Sequence, residues 1–184
     1  EGFAGSDSIL VDGIPKYVSL LSPGQIDGKT LITPDGLANG RALTVVQQAM
    51  IDAGVVQSAY NAPAAALLIT DLFNRIPEPA GKDVDEALSG LFNRATGYKQ
   101  FYNAVELAKS RLKKTEYNGD ILPEFRNELK HVGKVKPKID GKKLVAGWKA
   151  YVEDMVEPGS CILKMVSSPY AHAYINSIDI SKAL

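Results

Sequence analysis

Two stretches decide how this chain is read: Gln57-Ser58-Ala59-Tyr60-Asn61-Ala62-Pro63 and Leu88-Ser89-Gly90-Leu91-Phe92-Asn93-Arg94-Ala95-Thr96-Gly97-Tyr98. Each is rich in small and polar residues, and each sits between apolar runs of helical period. Ahead of the first, Thr44 is placed to cap a helix running to Ala53. Gln47 stands three residues after the cap, as in a capping box, and Gly54 stops the helix. Its apolar positions Val45, Val46, Ala49, Met50 and Ala53 fall on one stripe. Pro63, a good first-turn residue, opens a second helix through Leu67, Leu68, Leu72 and Phe73, ended by Pro77 and Pro79. Asp83 begins a third, with Val84, Ala87, Leu88 and Leu91 inward. A fourth runs from Tyr98 to Lys113 on Phe101, Val105, Ala108 and Leu112. The short connections predict a compact four-helix bundle.

Outward from the helices the pattern turns to β structure. Ser8 to Val11 reads as a strand ended by Asp12-Gly13, a strong turn signal, and Lys16 to Leu21 as a second strand entered through Pro15. Asp27-Gly28 makes another turn before Thr30 to Thr33. Residues 113–137 are polar and basic, broken by Asn118-Gly119 and Pro123, and read as a linker. Beyond it, Ile162 to Ser167 and Ala171 to Ile180 are expected as strands joined at Ser168-Pro169.

Composition narrows the function classes. The 184 residues carry 21 Lys plus Arg against 21 Asp plus Glu, so net charge offers no case for nucleic acid or an anionic membrane. The longest apolar run, Ala62 to Ile69, is far short of a bilayer span, which needs about 20 residues. No leader opens the chain and Glu1 is not an initiator Met, so the start reads as a processing boundary; cytoplasm is the expected compartment. The one cysteine, Cys161, excludes an internal disulfide and a cysteine-built metal site, and is expected as a small buried hydrophobe. His131 and His172 have no partner at metal or nucleophile spacing, and Gly141-Lys142 lacks the upstream glycine of a phosphate loop.

With these elements in place, the chain resembles the iron–sulfur portion of the xanthine dehydrogenase/aldehyde oxidase (molybdenum hydroxylase) family. Glu1 to Gly13 is similar to a plant-type ferredoxin loop, in which C-x4-C-x2-C wraps a [2Fe–2S] cluster before a strand. The two stretches quoted first resemble the family's Q-C-G-F-C-T-P and L-C-R-C-T-G-Y loops, which hold a second cluster. Val46-Gln47-Gln48-Ala49 precedes them at the family spacing. Asp140 to Gly147, Tyr151 to Asp154 and Ser167 to Ala173 resemble the opening of the family's hammerhead domain, which begins the molybdopterin-binding subunit.

The resemblance implies an α+β chain of four parts. These are the end of a ferredoxin-like β-grasp domain over 1–35, a helical [2Fe–2S]-type bundle over 36–114, a linker over 115–137, and the first strands of a hammerhead domain over 138–184. It places the ferredoxin-loop ligands before Glu1 and at Ala4, Asp7 and about Ser19, and the helical-domain ligands at Ser58, Asn61, Asn93 and Ala95. Since a cluster needs thiolates, no [2Fe–2S] cluster is expected in this chain. Phe92 and Tyr60 are expected to approach the vacated space, Asn61 and Asn93 to satisfy loop amides, and Arg94 to bridge loop carbonyls.

Gln57 matches the glutamine that lies beside the pterin in the family, so a pterin contact is implied there, against a helix-end glutamine bonded to a loop. The implied role is a cluster-less docking part of an oxidoreductase assembly, not catalytic by itself. Its partner is a molybdopterin-subunit-like polypeptide or the continuation of this chain, and molybdopterin belongs to that parent assembly. The alternative is a component of an active molybdenum hydroxylase acting on purines, aldehydes or N-heterocycles, with its catalytic residues elsewhere.

Overall fold

The computed structural model describes residues 2–95, 98–116, 130–131 and 136–182. Its first element, β1 (Ser8–Val11), turns at Asp12-Gly13 into β2 (Ile14–Tyr17). Both turn residues have positive φ, 49° and 79°, the geometry that a two-residue hairpin requires. Antiparallel pairing runs from Val11 opposite Ile14 to Ser8 opposite Tyr17. A short β3 (Leu31–Ile32) pairs antiparallel with β1 on its other edge, giving the order β2-β1-β3. The second strand therefore lies earlier than the expected Lys16 to Leu21. β1 offers no ladder partner beyond Ser8, so the chain winds into a 3-10 turn at Val18–Leu20. A single helical turn, α1 (Pro23–Ile26), links β2 to β3.

The four longer helices follow. The start of α2 (Val45–Asp52) is fixed locally: Thr44 Oγ1 accepts the Gln47 N–H at 3.2 Å, and Gln47 Oε1 accepts the Thr44 N–H at 2.9 Å. Its end is fixed by Gly54 at φ 71°, with Val55 N–H donating to the Met50 carbonyl and Gly54 N–H to that of Ile51. α3 (Ala62–Arg75) carries Pro63 in its first turn. α4 (Gly81–Leu88) and α5 (Lys99–Lys113) follow, and α5 ends at Lys114 in the left-handed region.

α2 packs on α5 through small side chains. Ala49, Ala53, Ala104 and Ala108 are buried, so the two backbones approach closely around Met50 and Val105. α3 lies across α2 and α4 and is buried nearly all round. A second cluster, Leu10 with Leu67 and Leu68, joins the sheet to α3. After the linker, most of which falls outside the described residues, α6 (Gly141–Val145) returns to the helices and packs on α2 and α3. Leu112, expected inward on α5, is exposed.

The C-terminal strands are not formed. Residues 151–182 have no strand among them and every one is exposed. A strand exists only through its ladder, and no neighbouring strand is present among the described residues. Cys161 is consequently exposed rather than buried. Among the described residues no helix is long and apolar enough to cross a membrane.

Candidate functional site

Three loops converge where the helices meet the sheet: residues 2–7, 57–61 and 89–95. The first is locked onto the third by backbone. Phe92 N–H donates to the Ala4 carbonyl at 3.0 Å. Gly5, at φ 71°, approaches so closely that a Cβ there would lie 2.3 Å from the Gly90 carbonyl oxygen. Tyr17 donates its hydroxyl to that same carbonyl at 3.2 Å, and a Cβ on Gly90 would stand 1.8 Å from the hydroxyl. Sequence reading missed this lock, because contact between glycines so far apart leaves no periodic signal; only their placement inside the motif loops pointed to it.

Of the ferredoxin-loop positions, Asp7 and Ser19 are brought together and Ala4 contributes backbone. Asp7 Oδ2 accepts the Ser19 N–H at 2.8 Å, and Ser19 Oγ accepts the Gly2 N–H at 2.9 Å. The hydrogen bond from Ser19 holds the Asp7 carboxyl below its ordinary pKa of 3.8. A depressed folded-state pKa means stabilisation that is complete above the unfolded value and lost as pH falls through the folded one. Asp7→Asn is therefore expected to flatten the acid-side loss of stability. Urea midpoints at about pH 6 and about pH 3 check it, with the variant showing the smaller difference.

In the helical part, Asn93 Nδ2 donates to Ser58 Oγ at 3.3 Å, and Asn93 Oδ1 accepts the Ala95 N–H at 2.7 Å. Asn93 thus serves a loop amide as expected. Asn61 does not: it is 1% exposed and its Oδ1 has no hydrogen-bond partner among the described residues. Asn61 and Asn93 both line an open cavity of about 320 Å³ whose walls include Leu91, Val84 and Phe101. Ala95 is exposed. Phe92 borders the cavity but is 66% exposed, and Tyr60 is 80% exposed and outside it. Of the two rings expected to approach this space, Phe92 does so only at its border and Tyr60 does not: Leu91 turns inward, leaving the neighbouring Phe92 ring facing out. Arg94 is also exposed and donates to no loop carbonyl among the described residues.

Gln57 is an exposed residue whose Nε2 donates to the Gly54 carbonyl at 3.0 Å, at the edge of a cavity of about 270 Å³ shared with Lys136 and Lys138. A larger cavity, about 450 Å³, lies between β2 and the α3–α4 pair. The buried Asp71 reaches it, ion-paired to Arg75 at 2.8 Å. It joins residues remote in sequence and had no sequence signal. Among the described residues no group of three or more His, Cys, Asp or Glu is arranged to hold a metal ion.

Residues 33–106 match the family described as "[2Fe-2S] binding domain". The "Nicotinate dehydrogenase small FeS subunit" of Eubacterium barkeri is 32% identical over 111 residues, which are 60% of this chain and 71% of that protein. The chain belongs to the xanthine dehydrogenase family. It is also 47% identical over 182 residues to the "Probable hypoxanthine oxidase XdhD" of Escherichia coli (strain K12), covering 99% of this chain and 19% of that relative. The chain thus spans about a fifth of that relative's length. Among solved structures, the fold is similar to the aldehyde oxidoreductase from Desulfovibrio desulfuricans ATCC 27774. There the TM-score is 0.71 at 20% identity, covering 84% of this chain and 17% of that one. Quinoline 2-oxidoreductase from Pseudomonas putida 86 gives a TM-score of 0.56 at 26% identity, covering 61% and 72%. The α+β architecture, a three-stranded sheet with several helices, is that of these relatives.

Family membership corrects one expectation. The sequence reading anticipated no [2Fe–2S] cluster, whereas the match to a [2Fe–2S] binding domain and the similarity to a named FeS subunit point to a [2Fe–2S] cofactor. That reading weighed ligand identity alone. The side chains at the four positions that the resemblance aligns with helical-domain ligands are a hydroxyl, two amides and a methyl, from Ser58, Asn61, Asn93 and Ala95. They do not fit a thiolate shell, so no electron-transfer step is assigned to them.

Proposed function

We propose that this chain is the N-terminal docking part of a xanthine dehydrogenase/aldehyde oxidase-like oxidoreductase assembly. One observation carries the reading: a folded module is followed by a long segment whose apolar side chains are exposed, with nothing among the described residues to cover them. Ile162, Leu163, Met165 and Val166 are 94, 88, 82 and 95% exposed, and Ile175 and Ile178 are 80 and 75% exposed. Exposed apolar surface on this scale marks an interaction site, and extended chain completes itself by pairing with another sheet.

The partner is a molybdopterin-subunit-like polypeptide, or the continuation of this one, supported by the likeness of residues 138–184 to the opening of a hammerhead domain. Residues 1–35, 36–114 and 115–137 are the ferredoxin-like end, the helical bundle and the linker of that arrangement. The chemistry then lies on other segments, and this chain braces them.

A second reading, favoured by the names of the relatives, makes the assembly an active molybdenum hydroxylase of purines, aldehydes or N-heterocycles. In it Gln57 stands beside the pterin of the partner's cofactor. The hydrogen bond to Gly54 sets the orientation of its amide at the exposed end of α2.

Limited proteolysis tests the docking. In the isolated chain, cleavage is expected throughout residues 151–182. In the native assembly those sites are expected to be cut at least about tenfold more slowly, the protection given by a contact worth about 1.4 kcal/mol. Equal rates in the two would contradict docking.

A further inference from the structure

We infer that α6 is a seat: the groove between α2 and α3 holds residues 141–146 and so fixes where the following polypeptide leaves the helical module. Local contacts define the two ends of the segment. Lys138 and Asp140 are ion-paired at 2.6 Å at its start. At its end Trp148 N–H donates to the Lys143 carbonyl and Gly147 N–H to that of Leu144, with Gly147 at φ 69°.

The fit into the groove is close. Leu144, Val145 and Ala146 are 6, 0 and 0% exposed, and Leu144 and Val145 belong to the same core cluster as Met50, Ala62 and Ala65. Gly141 is buried because Ile51 lies against it; a Cβ there would already be 3.8 Å from the Ile51 side chain. Gly147 faces Pro63, at the start of α3. Among the described residues everything after Trp148 is exposed or only partly covered, so the seat is the last buried anchor before the apolar segment begins. Position is therefore set by side-chain packing. The entropic cost of closing a connection, by contrast, changes only slowly with its length.

Hydrogen exchange on the full chain tests this. Leu144→Ala and Val145→Ala are each expected to speed exchange of the α6 amides about tenfold or more, while the α2 and α5 amides keep their protection. Doubling the length between residues 117 and 129 with flexible residues is expected to speed α6 exchange by no more than about threefold. The inference is overturned if the alanine variants leave α6 exchange unchanged. It is equally overturned if the insertion opens α6 as much as they do.

Discussion

Gly5→Ala is expected to destabilise the protein by about 3 kcal/mol and to lower its melting temperature by roughly 6–12 °C. Two costs combine. The residue sits at φ 71°, where an L side chain is strained. The new methyl would also meet the Gly90 carbonyl oxygen at 2.3 Å, a backbone atom that cannot rotate aside. Relieving the overlap pulls the first loop off the third, and with it the bond between Ala4 and Phe92 and the Tyr17 bond to Gly90. Gly13→Ala is the control: φ there is 79° but nothing lies within 4 Å, so only the conformational cost remains, about 1 kcal/mol. Thermal melts of both variants separate the terms. Equal losses would show that the close approach between the loops contributes nothing.

Leu67→Ala carries the second large effect. Its side chain is fully buried, and with Leu10 and Leu68 it forms the cluster that holds the sheet on α3. Truncation removes transfer free energy and leaves a cavity, for a loss of about 3 kcal/mol. The loss should fall unevenly. Amide exchange is expected to accelerate in β1 more than in the α2–α5 pair, because the main core around Met50 and Val105 does not include Leu67. Uniform acceleration across β1, α2 and α5 would mean that sheet and helices open only as one unit.

What the sequence made legible was whatever local chemistry decides. The start and end of α2 were readable because Thr44, Gln47 and Gly54 set them within a single turn. The Asp12-Gly13 hairpin was readable for the same reason. The end of β2 was not, because it depends on where β1 runs out of partners. Leu91 was legible as inward from its helical spacing, and it packs on the core; that the adjacent, equally apolar Phe92 faces out shows only once the loop is packed on Ala4.

The residues from Ile162 to Ile180 have strand-like composition, yet composition supplies no ladder partner. In the candidate site, the pairings of Asp7 with Ser19 and of Ser58 with Asn93 were not foreseen, although each residue had been singled out. The cofactor expectation failed differently: side-chain identity was weighed apart from the framework, and the framework assigns the family.

The central claim is that this polypeptide works as a docking part of a larger assembly. Native mass spectrometry of the tagged, full-length protein purified from its own cells tests it most directly. The account predicts a particle far heavier than the 184-residue chain, containing peptides of a molybdopterin-subunit-like sequence, joined covalently or as a separate subunit. A particle of the chain alone, with residues 151–182 still open to protease, would contradict it.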